Sequence, residues 1–267
     1  MEKLREDQIE IVMELRKRTE NLHSEFKKNH VLLQWLVIYK FDIDKSEEAI
    51  KKYVLWRENN NIDQISEWDQ PILKNYFTLG YLGPDVSGSP VWIIPYGLMD
   101  IKGIIQSVSQ DDFVLYIMRV MEISKIEMAK QSKDNGKIVS QLTLIFDIEN
   151  FAFSDFISKP VFNAIIEAIK CFQAYYPDIL KSAYVINAPR IFKFAFSLIK
   201  PFLAQELQDK VHIYGTTEWK EEILNNIPPS ILPVHWGGER IDSDGDTKCP
   251  SIICLGGKVP QDFYLEK

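Results

Sequence analysis

The spacing of apolar residues predicts a helical N-terminal region followed by alternating strands and helices. Between residues 2 and 60, apolar positions recur at helical intervals among charged ones, and Asp42 stands where an N-cap would begin a new helix. The pattern then changes to short β-rich runs at 76–82 and 90–95, separated by a turn. We therefore expect a helical lobe over residues 1–72.

Three later segments have a helical period: 111–132, 160–176 and 191–203. Three short apolar runs are typical of buried strands: 142–147, 183–187 and 211–214. Strands that alternate with helices of this length predict α/β crossovers and a largely parallel sheet. The expected fold class is α/β, with the main domain over 73–240 and a polar, linker-like tail over 241–267.

Composition and charge narrow the classes of function. The 267 residues carry 31 Lys+Arg and 38 Asp+Glu, so the net charge is −7 and the chain lacks the basic field that nucleic-acid binding requires. Three cysteines and four histidines disfavour a disulfide scaffold or a multi-zinc module. The charged N-terminus is unlike a signal peptide, and no apolar run approaches the roughly 20 residues that span a bilayer. We expect a cytoplasmic protein whose membrane contact is peripheral.

The sequence predicts no catalytic or metal site. It contains no phosphate-binding glycine loop, no G-x-S-x-G nucleophile motif and no H-E-x-x-H pair. Residues 242–246 resemble the start of a calcium loop, but the glycine comes two positions early, which favours a plain turn. Cys249 and Cys254 lack a second ligand pair for zinc. We therefore expect neither an enzyme nor a metal or organic cofactor.

The segment 187–203 combines a broad apolar arc with a basic stripe. On a helical wheel, Arg190, Lys193 and Lys200 fall together on the narrow polar side. Between residues 181 and 220, six basic residues stand against three acidic ones in an otherwise acidic chain. This pattern fits a helix that docks on an anionic membrane, and it also fits a core helix whose cations face water. The apolar arc consists of Ile191, Phe192, Phe194, Phe196, Leu198, Ile199, Phe202 and Leu203.

The predicted sheet elements carry more large apolar side chains than a simple sheet needs. Such side chains either fill a core or line an apolar cavity, and the pattern leaves both interpretations open. The candidates for a cavity wall are Tyr81, Trp92, Tyr116, Leu142, Leu144, Phe146, Phe151, Phe153 and Tyr175.

A series of short motifs resembles the CRAL-TRIO lipid-binding family, in the family's order from about residue 30 to 240. The motifs are Leu32-Leu33 with Trp35-Leu36, Lys40–Asp42, Trp56-Arg57, Asp147–Asn150, Tyr175–Asp178, Val185–Pro189, Ile199–Leu203, Lys210–Gly215 and Leu232–Gly238. The tail is similar to the linker of the supernatant protein factor, or α-tocopherol-associated protein, subfamily. A GOLD β-domain follows in that subfamily, and the sequence ends before it.

The resemblance implies a helical N-terminal lobe and a sheet that floors a hydrophobic pocket closed by a gate helix. The apolar arc of 191–203 would form the gate, and the nine candidates named above would line the pocket. The three cations of the segment would hold the membrane surface. The only bound group implied is a lipid, and the implied partners are that lipid and, transiently, a membrane; a protein partner stays unknown.

Departures from the family's headgroup motifs point to a neutral ligand. Tyr39 stands where the phosphatidylinositol-transfer branch has a headgroup arginine, while Asp178 and Lys210 stand at its acidic–lysine pair. Leu142 and Leu144 replace the small hydroxyl residues that contact phosphatidylcholine. We therefore expect non-catalytic transfer of tocopherol, squalene, a retinoid or a similar neutral lipid. Phospholipid transfer and a lipid-gated regulatory adaptor are the alternatives.

Overall fold

The computed structural model describes residues 5–266, which fall into two compact units. Unit 1 contains residues 5–68 and 171–179, and unit 2 contains residues 69–170 and 180–266. The junction after residue 68 lies close to the predicted boundary at 72. The predicted helical positions 2–4 and the last residue of the predicted tail lie outside the described residues.

Unit 1 is helical, as the apolar spacing predicts. It contains α1 (Glu6–Thr19), α2 (Asn29–Ile38) and α3 (Ile43–Asn59), with 3-10 turns at Ser24–Lys27 and Ile62–Glu67. The predicted cap is confirmed, because Asp42 Oδ1 accepts a hydrogen bond from the Lys45 backbone N–H at 3.1 Å. The buried core of the unit includes Leu15, Phe26, Leu32, Leu36, Ile50 and Tyr53.

An ion pair between a buried arginine and an exposed aspartate joins α3 to the turn that follows it. The guanidinium of Arg57 is almost fully buried, donates to the Asp63 carboxylate and donates to the Tyr53 hydroxyl at 2.7 Å. His23 lies beside this group, with its Nε2 3.5 Å from Asp63 Oδ2. A hydrogen bond to Glu25 raises the pKa of His23, and Asp63 adds to the effect while Arg57 opposes it.

Unit 2 is built around a six-stranded mixed sheet. Its elements are α4 (Pro71–Tyr76), β1 (Leu79–Pro84), β2 (Pro90–Ile94), α5 (Ile101–Ser107), α6 (Gln110–Asn135), β3 (Leu142–Asp147), α7 (Phe153–Phe156), α8 (Lys159–Tyr175, whose last turn groups with unit 1), β4 (Leu180–Ile186), α9 (Arg190–Ile199), α10 (Gln205–Gln208), β5 (Val211–Ile213), α11 (Trp219–Asn226) and β6 (Ile253–Cys254). The strand order is β5-β4-β3-β2-β1-β6. The pairs β5–β4, β4–β3 and β3–β2 are parallel, and β2–β1 and β1–β6 are antiparallel. The α/β prediction is confirmed.

The two faces of the sheet are covered by different helices. On one face, Ile93, Ile145 and Tyr184 lie side by side and pack against Trp219 of α11 and against Trp236. On the other, which we call the α9 face, one row runs across the strands and consists of Tyr81, Trp92, Leu144, Ala183 and Val211. A second row consists of Ile94, Phe146, Val185 and Ile213. The register therefore brings four of the predicted wall residues onto one surface.

The C-terminal residues 241–266 pack into unit 2. β6 pairs with β1, and the Leu265 N–H donates to the Gln106 carbonyl at 2.8 Å. A Cβ at Gly80 would lie 2.4 Å from Ile253 Cγ1, so the two strands approach closely only because this residue is glycine. A two-residue strand gives no periodicity, which is why the tail pattern predicts only a linker.

Across residues 5–266, no helix combines the length and the apolar character needed to cross a bilayer.

Candidate ligand-binding site

The inward side of α9 is apolar and closes over the sheet. Phe192 and Ala195 are buried, Phe196 and Ile199 are half-buried, and all four pack with β4 and β5 side chains on the α9 face. The helix follows Pro189, whose carbonyl accepts from the Phe192 N–H at 2.8 Å. It gives way to a 3-10 turn at Lys200–Phe202, within which Pro201 has no N–H to continue the α-helical ladder.

The outward side of α9 is also partly apolar. Ile191 is 44% exposed and Phe194 is 55% exposed, and Phe202 just beyond the helix is 42% exposed. The predicted basic residues Arg190, Lys193 and Lys200 are exposed among them. The remaining predicted gate residues, Leu198 and Leu203, are half-buried. The eight apolar positions thus divide into an inward set and an outward set.

An aromatic cluster lies beneath α9. The rings of Phe151 and Phe192 are 5.3 Å apart, and those of Phe153 and Phe194 are 5.7 Å apart. Phe146 packs in the same cluster from β3, and Tyr96 from the 3-10 turn after β2. The cluster therefore contains three predicted wall residues and extends to the exposed side of α9.

The central strand keeps accessible surface on the α9 face. Leu144 and Phe146 are half-buried, whereas Thr143 and Ile145 on the opposite face of the same strand are fully buried. A strand flanked by neighbours on both sides exposes side chains only where its covering layer leaves room. The helices of the α9 face thus pack less tightly over β3 than those of the other face.

The β1–β2 end of this face carries polar contacts to α6. Trp92 is buried, and its Nε1–H donates to Ser124 Oγ at 2.8 Å. The Tyr81 ring lies 5.2 Å from that of Trp92, and the Tyr81 hydroxyl donates to Glu127 Oε2 over 3.4 Å. Burial, followed by the nearby Glu127 charge, raises the pKa of Tyr81 to about 12.

The other predicted wall residues lie apart from this cluster. Leu142 is fully buried at the start of β3. Tyr116 packs against Phe77 with ring centroids 5.3 Å apart, and burial raises its pKa. Tyr175 belongs to unit 1, where its ring stacks on Trp56 at 4.2 Å. The sequence pattern groups these residues by chain neighbourhood, whereas the fold separates them: Tyr116 and Tyr175 lie on helices, and Leu142 lies at the buried start of a strand.

The predicted headgroup residues divide between the units. Tyr39 and Asp178 belong to unit 1, and Lys210 belongs to unit 2. Asp178 has a positive φ of 52°, the left-handed conformation common at turns. The Lys210 carbonyl accepts from the Ala183 N–H at 2.9 Å, which places this residue at the start of β5.

A partly buried polar network lies between the end of β4 and the start of α9, and no pattern in the sequence predicts it. Asp147 Oδ1 accepts from Asn187 Nδ2 at 2.8 Å, and Asp147 Oδ2 accepts from Trp236 Nε1 at 2.8 Å. Asn187 Oδ1 in turn accepts from Trp219 Nε1 at 3.1 Å. Asn187 has φ 55°, so the chain turns sharply just before the helix. Every member of the network except Trp219 lies in one of the motifs that resemble the CRAL-TRIO family. The motifs do not show that these side chains hydrogen-bond to one another.

The same carboxylate belongs to the described cluster that best resembles a metal site. Single ligand atoms of Asp147, Glu149 and His235 lie within 4.8 Å of one another. Asp147 already accepts from Asn187, Trp236 and the Glu149 N–H, so its oxygens are engaged in holding the fold. The position of the Asp147 carboxylate is therefore explained by these hydrogen bonds.

Comparisons with known proteins agree with this architecture. The sequence model of the CRAL/TRIO domain matches residues 74–238, and the chain belongs to this family. Proteins of the family are typically non-catalytic lipid binders. The solved crystal structure of Sfh5 superposes with a TM-score of 0.74 at 19% identity, covering 93% of this chain and 92% of that one. This likeness establishes the fold.

Two curated relatives come from Caenorhabditis elegans. Protein ctg-1 is 29% identical over 235 residues, which is 88% of this chain and 61% of the relative. CRAL-TRIO domain-containing protein T23G5.2 is 27% identical over 239 residues, which is 88% of this chain and 32% of the relative. The chain therefore spans less than two thirds of the length of either relative.

Proposed function

We propose that the chain binds a neutral hydrophobic lipid and transfers it between membranes without chemical change. Tocopherol, squalene and retinoids are the candidate ligands, and membrane contact is peripheral and transient. The relation to the supernatant protein factor subfamily, suggested by the tail motifs, is part of the same proposal. Family membership supports the lipid-binding element.

The observation that carries the proposal is the two-sided apolar character of α9. Its inner side covers the aromatic cluster, which includes the half-buried Phe146, and its outer side exposes Phe194 beside Lys193. A single exposed apolar residue is common on a protein surface, but Ile191, Phe194 and Phe202 are all exposed within one short segment. A gate that opens at a membrane needs both an inner seal and an outer apolar contact, with cations that attract anionic headgroups.

The physical benefit is the removal of a solvation barrier. A lipid that leaves a bilayer through water exposes its chain at roughly 0.8 kcal/mol per methylene, so a 16-carbon chain faces a barrier on the order of 10 kcal/mol. A protein that opens α9 at the membrane surface offers the chain an apolar path. Closing α9 afterwards keeps the lipid out of water during diffusion.

A neutral ligand fits the side chains of the α9 face. Leu144, Phe146 and Trp92 supply apolar surface, and Trp92 has its only polar atom engaged with Ser124. A zwitterionic or phosphorylated headgroup would need fixed charges to replace its water. Tyr39 lacks the positive charge of the arginine that it replaces in the family motif.

Native mass spectrometry of gently purified protein, followed by organic extraction, tests the proposal. We expect a co-purifying neutral lipid, or tight uptake of added α-tocopherol or squalene, and transfer of that lipid between donor and acceptor vesicles. Phosphatidylinositol that disappears in Lys210→Ala would establish the phospholipid alternative. Tight binding without vesicle transfer would favour the lipid-gated adaptor, and absence of any lipid uptake would refute the proposal.

A further inference from the structure

The Tyr96 hydroxyl is buried and has no hydrogen-bond partner among the residues that the structure describes. Tyr96 lies in the 3-10 turn that follows β2, and this turn is fixed from two sides. Thr78 Oγ1 donates to the Pro95 carbonyl at 2.9 Å, and a Cβ at Gly97 would lie 1.5 Å from the Glu149 carbonyl oxygen. These backbone contacts fix the turn that carries Tyr96, so the hydroxyl cannot easily rotate into solvent.

The surroundings of Tyr96 are the aromatic cluster under α9. Its ring centroid is 6.1 Å from that of Phe151, which is itself 5.3 Å from Phe192 of α9. Burial raises the pKa of Tyr96 far above its usual range, and the negative charge of Asp155 adds to the effect, so the group stays protonated at neutral pH. A protonated phenol is a hydrogen-bond donor, and leaving it unpaired in an apolar environment costs free energy.

From this geometry we infer that the Tyr96 hydroxyl donates a hydrogen bond to an oxygen atom of the bound lipid. The inference rests on the proposed function and narrows its ligand class to a neutral lipid that carries an oxygen acceptor, such as a hydroxyl or carbonyl, as opposed to a pure hydrocarbon. A chain that enters beneath α9 has to displace part of the cluster, because Phe151 and Phe192 pack against each other there. The same rearrangement uncovers the hydroxyl for the ligand.

The specificity follows from an asymmetry in hydrogen bonding. A ligand oxygen that accepts from Tyr96 satisfies the donor, whereas a hydrocarbon leaves it unpaired. Tyr96→Phe removes the hydroxyl and keeps the ring, so it should weaken binding of the oxygen-bearing ligand and leave binding of the hydrocarbon unaffected. It should also raise the thermal midpoint of the ligand-free protein, since the unpaired group is gone.

The test compares α-tocopherol, which has an oxygen acceptor, with squalene, which has none. We expect Tyr96→Phe to weaken α-tocopherol binding on the order of tenfold and to leave squalene binding unchanged or slightly tighter. Tyr184→Phe is the matched control, because Tyr184 lies on the opposite face of the sheet and stacks on His212 at 5.6 Å. This control should leave the ratio of the two affinities as it is in the wild type.

The outcomes separate the inference from the proposed function. If the wild type binds neither lipid and contains none, the proposed function fails. If it binds both, and Tyr96→Phe changes their affinities by the same factor, the proposed function stands and the role of Tyr96 is overturned. An unchanged affinity ratio combined with a lowered thermal midpoint would show that the hydroxyl serves the fold alone and would also overturn it.

Discussion

The exposed phenylalanine of α9 allows a quantitative test of membrane docking by substitution of Phe194 with serine. A phenylalanine side chain buries roughly 150–250 Å² when fully covered, and Phe194 is 55% exposed, so roughly 100 Å² remains for a bilayer to cover. If α9 docks as proposed, this surface would contribute about 2 kcal/mol to membrane partition at about 25 cal/mol per Å², after allowance for the retained Cβ. We therefore expect Phe194→Ser to weaken vesicle binding about 30-fold.

The assay is co-sedimentation with anionic lipid vesicles, accompanied by thermal unfolding. An exposed substitution changes stability by only about 0.5 kcal/mol, so the fold should survive. Phe192 is unsuitable because it is 7% exposed, and removing a buried phenylalanine costs about 3–5 kcal/mol of stability. The matched control is Val86→Ser, since Val86 is 65% exposed on unit 2 but lies outside α9. Equal losses of vesicle binding in Phe194→Ser and Val86→Ser would refute the assignment of α9 as the docking element.

Three further predictions concern the fold that carries the site. Trp236→Phe deletes the donor to the buried Asp147 carboxylate and should lower the free energy of unfolding in urea by roughly 2–3 kcal/mol; a change within error would mean that the carboxylate finds another donor. Gly97→Ala places a Cβ against the Glu149 carbonyl and should cost roughly 3 kcal/mol, read as a lowered thermal midpoint, and an unchanged midpoint would contradict it. The pKa of His23 is raised in the folded state, so its protonation stabilises the fold below the unfolded pKa of about 6.5, and this contribution is lost as pH rises through the folded pKa. The difference in unfolding free energy between wild type and His23→Gln should therefore be larger near pH 5.5 than near pH 9. A difference that does not change with pH would refute this prediction.

The alternation of helical and strand patterns predicts the fold well because each long element has its own periodicity. The run 142–147 is confirmed as β3, and the helix expected at 111–132 is α6, which continues to Asn135 and ends at Gly136 with φ 62°. Periodicity indicates which side of a single element is buried. It also places Tyr81 and Trp92 on two strands, and the strand register makes them direct neighbours. The sheet is mixed because the chain reverses direction at the turn after Pro84, so that β1 and β2 are antiparallel. The sequence predicts this turn.

The candidate site is harder to predict because it depends on which way each helix faces. The wheel of α9 gives one apolar arc, but the packed helix turns Phe192 inward and Phe194 outward. Tyr175 is aromatic and close in sequence to sheet elements, yet it stacks on Trp56 in the other unit. Tyr96 carries no sequence signal at all, because an unpaired hydroxyl is a property of the assembled cluster.

The contacts of α9 differ between its N-terminal base, residues 187–189, and its inner side, and this difference is consistent with the proposed gate. At the base, hydrogen bonds join Asn187 to Asp147, and the Ala188 N–H to the Tyr214 carbonyl at 3.0 Å. Along its inner side, Phe192 and Ala195 pack in an apolar cluster, whose contacts have no fixed direction. Lipid chains replace apolar contacts as readily as protein does, but they replace no hydrogen bond. If α9 acts as the proposed gate, a bilayer would lower the free energy of opening it while leaving its base attached. We then expect the helix to pivot about residues 187–189 when it docks.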